Sequence, residues 1–341
     1  MSRASSRADA IAAVPEDARD KLKKRAMPRW IAPMLATLTD ERFSDPNWIF
    51  ETKFDGERCL AFHTGEDVRL MSRNELVMNA HYPELAEAFA AQKATGFIVD
   101  GEIVAFEGRR SSFEKLQQRM GVRDPDAARR RGVAVYFYAF DVLYAGGYDL
   151  TRLPLRDRKA VLRRLLTFNR RLRFTTHRTG AGIAAWRDAC AKGLEGVIAK
   201  NADATYQSRR SRDWLKFKCV NEQEFVIGGY TEPAGAREDF GALLIGYYDD
   251  GKLVYAGKVG TGFDQETLEA LKARFDDRER ERPAFARGDP PSRGVHWLKP
   301  DLVAQIGFTE WTRHGELRHP RFLGLRRDKP ARAVRRERPS R

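Results

Sequence analysis

The chain reads as an α+β protein in two parts, strands interleaved with helices followed by a small β-barrel. Three observations predict this. The 341 residues exceed what one small core organises, while 42% apolar and 11% aromatic residues suffice for globular packing. Up to about residue 220, short runs alternating with period 2 are interleaved with runs of helical spacing. Past Glu224 the texture changes to short strands, many glycines and one helix, which suits a Greek-key barrel of the OB type.

Residues 1–27 are polar and charged and are expected to form a flexible basic arm, with a short helix around Asp17 to Arg25. Its cluster Lys21, Lys23, Lys24 and Arg25 reads as a solvated linker. From Pro28 the chain turns apolar and enters a first domain, assigned to 28–221. Trp48 to Thr52 alternates as a strand, which places Glu51 and Lys53 on one face. Asp55-Gly56 ends it, glycine being expected to supply a positive φ to the turn. Val68 to Ser72 is a second strand, and Pro83 opens a helix with Leu85, Ala88 and Phe89 on one face. In the strand Phe97 to Phe106, the pleat puts Asp100 and Glu102 on the side of Ile98 and Val104. Carboxylates in such a place are costly to bury unpaired, so they are expected to line a polar cleft. Ser111-Ser112-Phe113-Glu114 reads as a capping box, followed by Phe113, Leu116 and Met120 at helical spacing. Val133 to Leu143, Leu194 to Lys200 and Trp214 to Cys219 read as further strands. In the last of these, Lys216 and Lys218 share the face of Trp214 and call for an anion.

A second domain is assigned to 222–335, with the boundary near Val220 to Glu224. It holds Phe225 to Tyr230, a hairpin about Asp249-Asp250-Gly251, a helix from Asp264 carrying Leu268, Leu271 and Phe275, and strands at Val295 to Leu298 and Leu302 to Trp311. The glycines of Gly257 to Gly262 are spaced wrongly for a dinucleotide fingerprint, and the sequence carries no P-loop motif. Residues 336–341 form a basic tail, and most of the chain after Lys329 is expected to be solvated.

Lys and Arg number 62 against 48 acids, a net charge of +14 that marks a polyanion-binding surface. Cys59, Cys190 and Cys219 are far apart in sequence, which predicts reduced thiols in small core positions, a reducing compartment and no structural zinc. The N-terminus lacks the apolar segment of a secretory signal, and no run of about 18 apolar residues suggests a membrane span, so a cytoplasmic location is expected. The histidines form no cluster and receive no role.

The chemistry lies in an ordered series. Lys53, at a strand end beside a turn, is a candidate nucleophile for a phosphoanhydride, with neighbouring Arg58 and partial burial expected to disfavour its charged form. Arg58, Arg73, Lys216 and Lys218 can neutralise phosphate charge, Glu102 and Glu195 can hold Mg²⁺, and Phe140 can stack a base. Alone, Lys-x-Asp-Gly is a weak signal, Phe140 is an ordinary core residue and each glutamate an ordinary salt-bridge partner.

In order, however, the series closely resembles the covalent nucleotidyltransferase superfamily of ATP-dependent DNA ligases. Lys53-Phe54-Asp55-Gly56 resembles its first motif, Ser72-Arg73-Asn74 the next, Asp100-Gly101-Glu102 the third and Tyr138-Ala139-Phe140-Asp141 the aromatic one. Glu195-Gly196-Val197-Ile198-Ala199-Lys200 and Trp214-Leu215-Lys216-Phe217-Lys218 resemble the fourth and fifth, and Arg326-Arg327-Asp328-Lys329 the last. Phe225 to Pro233, Gly257 to Gly262 and His319 to Leu325 are most similar to the ligase domain of bacterial end-joining ligases, often called ligase D.

The resemblance implies a nucleotidyltransferase domain of ATP-grasp-like antiparallel sheets with helices, followed by an OB-fold barrel. It implies ATP and Mg²⁺ as cofactors, with Mn²⁺ as the alternative ion. It further implies a monomer acting on nicked or broken double-stranded DNA, with bacterial Ku as an end-binding partner and no membrane. By the same resemblance Lys53 carries AMP, Glu51 binds the adenine amino group or pairs with a nearby arginine, and Phe140 stacks adenine. Arg58 and Arg73 contact ribose, phosphate or the DNA end; Glu102 the ribose or metal; Glu195 the metal; Lys216 and Lys218 the α-phosphate. Arg326 and Lys329 orient pyrophosphate. Glu75 departs from the family, which often has glycine there. An RNA ligase, a GTP-using capping enzyme and a non-catalytic DNA-binding module are the alternative readings.

Overall fold

The alternation in the first part of the chain resolves into two sheets. The computed structural model describes residues 11–219, 221–233, 239–326 and 328–337, and the chain divides after Cys219 into two units. The main elements of the first are β1 (Leu35–Leu38), β2 (Trp48–Thr52), β3 (Glu57–His63), β4 (Val68–Ser72), α1 (Pro83–Ala90), β5 (Phe97–Glu107), α2 (Phe113–Gln117), β6 (Val135–Ala145), α3 (Leu155–Leu165), β7 (His177–Thr179), α4 (Gly182–Ala191), β8 (Gly196–Asn201) and β9 (Arg210–Lys218). One sheet is built on β6–β5–β3–β4, each pair antiparallel. The other runs β7–β2–β8–β9–β1, in which β9 and β1 are parallel.

Side-chain alternation decides what each face covers. In the first sheet Cys59, Ala61, Val99, Ile103, Phe137 and Ala139 face the helices, against Leu85 and Phe89 of α1 and Val161 and Leu162 of α3. In the second sheet Phe50, Val197, Ala199, Leu215 and Phe217 pack on Ala185 and Ala189 of α4. Each large apolar side chain so buried contributes about 1.5–3 kcal/mol. The opposite faces turn towards each other, where Leu60, Phe62, Ile98 and Phe140 of the first sheet cluster with Trp214 of the second. The Phe140 and Trp214 rings meet edge to face at 6.0 Å, and the polar residues of the two sheets collect beside them.

The second unit holds β10 (Asn221–Thr231), β11 (Leu243–Asp249), β12 (Lys252–Val259), α5 (Gln265–Phe275), β13 (Val295–Leu298), β14 (Val303–Phe308) and β15 (Arg321–Arg326). The long β10 pairs with β11 on one side and with both β13 and β14 on the other, and β14 continues to β15. The Phe322 N–H then donates to the Thr261 carbonyl at 2.9 Å, joining β15 to the chain leaving β12 and closing the barrel. Gly262 is needed at that closure: its φ is +92°, and a Cβ would lie 2.3 Å from the Phe322 carbonyl oxygen. The Asp264 side chain caps α5 by accepting from the Thr267 N–H at 2.8 Å, and Leu268, Leu271 and Phe275 bury its inner face. This is an OB-fold barrel. Among the described residues no helix is long and apolar enough to cross a membrane.

Several expectations are corrected. Residues 11–27 are not a free arm: Val14 and Ala18 are buried in the main core with Ile11 against it, and Lys23–Lys24 pairs with Tyr148–Asp149. The apolar spacing Ile11, Val14, Ala18 is helical, but it is diluted by charges. Residues 1–10 and 338–341, and Arg327 of the last motif, lie outside the described residues. The segment after Lys329 is not simply solvated, since Val334 is fully buried and the Arg336 guanidinium covers the Trp311 ring at 4.0 Å. Cys190 and Cys219 are joined in a disulfide, their Cα atoms 5.2 Å apart. Sequence separation hid this, because α4 runs back to the end of β9, and with it the spacing argument for a reducing compartment is withdrawn. Cys59 is free and buried. The cap of α2 is Ser112, whose side chain accepts from the Lys115 N–H, while Ser111 has another partner described below.

Candidate active site

Lys53 stands one residue beyond β2, its N–H donating to the Gly196 carbonyl at 3.0 Å. Its ammonium pairs with Glu195, the residue just before β8. The loop after it is fastened at two points. The Asp55 N–H donates to Ser111 Oγ at 3.0 Å, and Asp55 Oδ2 accepts from the Phe113 N–H at 3.1 Å. Gly56 is required by close approach rather than by a positive φ, contrary to expectation: a Cβ would lie 2.3 Å from the Ile103 carbonyl oxygen of β5.

The register of the second sheet explains why the charged residues gather. Directly opposed residues share a face, and Glu51, Ile198 and Lys216 form one such row across β2, β8 and β9. Gly196 opposite Lys218 forms the next row beside Lys53, and Ile49, Lys200 and Trp214 the row on the other side. Lys216 is half-buried and Lys218 buried.

Glu51 is only 2% exposed, and it lies between two ammonium groups. Its Oε1 accepts from Lys159 of α3 and its Oε2 from Lys200 at 2.6 Å. Lys159 also reaches the carbonyls of Phe140 and Thr175, each at 3.3 Å. Burial pushes the Glu51 carboxyl up, but the two lysines more than offset it and the net shift is downward. For Lys200 burial wins over the attraction of Glu51, and its ammonium is held below the ordinary lysine value. The expected alternative of an arginine partner for Glu51 is thus replaced by two lysines.

Arg58 grips Asp100 with Nε and Nη2, at 2.5 and 2.6 Å, and Tyr206 donates its hydroxyl to the same carboxylate at 2.7 Å. Burial disfavours the guanidinium charge, yet Asp100 outweighs it and the net shift is upward. Arg58 is held by Asp100, and the Lys53 ammonium is paired with the carboxylate of Glu195. Asp100, fully buried, closes a structural pair, while Glu102 sits half-buried in register with Arg58 and Tyr138. Two cations lie against the Phe140 ring, Arg58 at 4.7 Å and Lys200 at 4.1 Å from its centroid.

The structure therefore brings Lys53 to Glu195, and Arg58 and Phe140 together beside the Glu51 cluster. Arg73 stands half-buried in the turn after β4. In the second unit Arg326 is paired with Asp328 at 2.8 Å and Lys329 with Glu224 at 2.9 Å.

A family model described as the ATP dependent DNA ligase domain matches residues 33–218. The chain belongs to the ATP-dependent DNA ligases. A second model, the ATP dependent DNA ligase C terminal region, matches residues 236–329. The chain is 38% identical over 326 residues to the multifunctional non-homologous end joining protein LigD of Pseudomonas aeruginosa, covering 93% of this chain and 38% of that protein. It is 30% identical over 316 residues to DNA ligase C of Mycobacterium tuberculosis, covering 87% of each. Among solved structures, a mycobacterial DNA ligase D complexed with ATP and MES matches with a TM-score of 0.66 at 35% identity, over 90% of this chain and 98% of that one. The chain spans about two fifths of the length of the LigD relatives.

For a ligase of this family, the donor set fits a magnesium ion held together with substrate. Glu195 Oε2 is buried and has no hydrogen-bond partner. Among the described residues no group of three or more His, Cys, Asp or Glu could cage a metal, but Mg²⁺ commonly takes only one or two carboxylates plus phosphates and water. Sequence reasoning missed Lys159 and gave Lys200 no role. Both carried a signal: Lys200 sits within an apolar strand, and Lys159 occupies the stripe of α3 otherwise filled by Leu155 and Leu162.

Proposed function

We propose that this ligase seals 5′-phosphate/3′-hydroxyl breaks in DNA through Lys53. The amine attacks the α-phosphorus of ATP; a P–N bond forms and the bond to the pyrophosphate oxygen breaks. The proton that leaves the lysine has the Glu195 carboxylate in contact. AMP then passes to the DNA 5′-phosphate, and the 3′-hydroxyl displaces it as the phosphodiester forms. Mg²⁺, held by Glu195 and Glu102, would neutralise phosphate charge. Lys216 and Lys218 bind the α-phosphate, Glu51 accepts from the adenine amino group, Phe140 stacks the base, and Arg58 and Arg73 contact the ribose or the DNA end. Arg326 and Lys329 orient the pyrophosphate. The likeness to LigD supports a role in end joining; Ku as an end-binding partner and action as a monomer on nucleoid DNA in the cytoplasm belong to the same proposal.

The observation that carries this reading is the Lys53–Glu195 pair at the head of a face bearing Glu51, Lys216 and Lys218. The test is incubation with Mg²⁺ and α-labelled ATP or GTP after pyrophosphate stripping, followed by a denaturing gel. Wild-type protein takes label from ATP and loses it to nicked DNA; Lys53→Ala takes none while melting as wild type does. Label on Lys53→Ala would refute the nucleophile, and label from GTP would point to a capping-type enzyme.

A further inference from the structure

Four aromatic side chains form a chain of ring contacts that starts at the residue after Lys53 and stands outside the hydrophobic clusters of their unit. Phe54, the residue after Lys53, lies against Tyr138 with ring centroids 4.3 Å apart. Phe106 bridges Tyr138 at 6.0 Å and Tyr136 at 5.6 Å. Arg173 closes the far end: its guanidinium covers the Tyr136 ring at 4.1 Å, and its Nη1 donates to the Tyr138 hydroxyl at 2.8 Å. All five are half-buried. The strand pleat puts Phe106, Tyr136 and Tyr138 on the face that also bears Glu102 and Phe140. The result is a ridge of rings that leaves the candidate active site and ends in a cation.

None of the roles proposed for the site uses this ridge. We propose that Phe54, Tyr138, Phe106 and Tyr136, edged by Arg173, form a stacking platform for unpaired bases at the DNA end being sealed. The chemistry favours this occupant. The proposed reaction brings a 5′-phosphate to Lys53, so the first bases of the end arrive beside Phe54. A base within an intact duplex has both faces covered by its neighbours, whereas a mispaired or frayed base has a face to offer an aromatic ring. Arg173 places a positive charge where the backbone of such a strand would pass. The platform would let the enzyme hold imperfect ends that a purely duplex-reading surface would release.

The inference rests on Lys53 as the adenylated residue, so its test separates the two. The full chain, stripped and re-adenylated, is given two nicked duplexes that differ only in whether the 5′-terminal base is paired or mispaired. Tyr136→Leu and Phe106→Leu keep an apolar side chain but remove the ring. They should slow sealing of the mispaired nick by about ten-fold, leave the paired nick and self-adenylation nearly unchanged, and Tyr136→Phe should restore the rate. 2-Aminopurine at the mispaired position should lose fluorescence on binding to wild-type protein and to Lys53→Ala, and keep it with Tyr136→Leu. Equal effects on both nicks, no effect on either, loss of self-adenylation in the ridge variants, or unquenched 2-aminopurine on the wild type would each overturn the proposal. Failure of Lys53 to take label, with quenching intact, would overturn the catalytic reading alone.

Discussion

Arg158 and Asp141 are both fully buried, and every charge in the pair is matched. Nε and Nη2 of Arg158 donate to the two carboxylate oxygens at 2.8 Å each, Nη1 to the carbonyls of Leu153 and Ala204, and the Val142 N–H donates to Asp141 Oδ1. The Glu51 cluster, built on the same helix α3, is put together on different terms. One carboxylate lies between two ammonium groups, none more than 4% exposed, so the cluster holds an excess positive charge away from water. Nearby, Glu195 keeps a buried oxygen without a partner. Burying unmatched charge is costly, and such imbalance concentrates where a ligand supplies what is missing. The closed pair pins α3 to the sheet; in the proposed function the open cluster is where the nucleotide binds.

The sharpest way to break this contrast is Asp141→Ala. It strands a buried guanidinium, and the expected loss is about 3–5 kcal/mol of stability, read as a fall of roughly 10 °C in the melting temperature of the first unit. The ATP concentration dependence of self-adenylation in the protein that stays folded should not move. If it did, the closed pair would belong to the site.

Glu51→Gln should behave in the opposite manner. Its stability cost is smaller, about 1–3 kcal/mol, because Lys200, already displaced below the ordinary lysine value, can shed its proton. The larger effect falls on ATP use. The pH dependence gives an independent reading. The Glu51 carboxyl is lowered in the folded chain, so the unfolded chain binds the proton first as pH falls. Its stabilisation is therefore fully present above the unfolded value near 4.3 and is lost as pH drops through the folded value. Urea midpoints of the wild type should fall more steeply below about pH 4.3 than those of Glu51→Gln. Parallel curves would mean that the carboxylate does not gain what the two lysines offer it.

What could be read from the sequence follows from how local the cause is. Period-2 alternation placed Glu51 with Lys53, and Lys216 with Lys218, on shared faces, because strand geometry alone sets them. The glycine-rich texture of the second unit announced short strands for the same reason. Lys159 stood out in the apolar stripe of α3, but its pairing with Glu51 was out of reach, since 108 residues separate the two and only the packing of α3 on the sheets joins them. The Cys190–Cys219 bridge depends in the same way on where a helix returns. At Ser111-Ser112 two neighbouring hydroxyls competed for one cap, and the tertiary bond from Asp55 to Ser111 decided between them. Gly56 is a place that needs glycine, but the need comes from the approach of Ile103 on another strand rather than from its own φ.

The same contrast predicts a small effect at the turn that carries Arg73. Glu75 there has φ of +63°, a conformation that is unfavourable for a residue with a Cβ by about 1–2 kcal/mol. The turn leaves it no alternative: Glu75 N–H and Leu76 N–H donate to the Ser72 carbonyl and hydroxyl at 3.0 and 3.1 Å, and the Ser72 N–H donates to the Leu76 carbonyl at 2.8 Å. Glu75→Gly removes the strain but frees the unfolded chain, so the net gain should be only about 0.5 kcal/mol, a rise of roughly 1–2 °C in melting temperature. Self-adenylation should be unaffected, because Lys53 and its loop are fastened elsewhere, to Gly196, Ser111 and Phe113. A stabilised Glu75→Gly protein that seals nicks as fast as the wild type would make the strain incidental. One that is stabilised yet seals more slowly would show that the turn is held in an unfavourable shape in order to present Arg73, which would place it with the Glu51 cluster among the parts of the molecule that give up stability for the reaction.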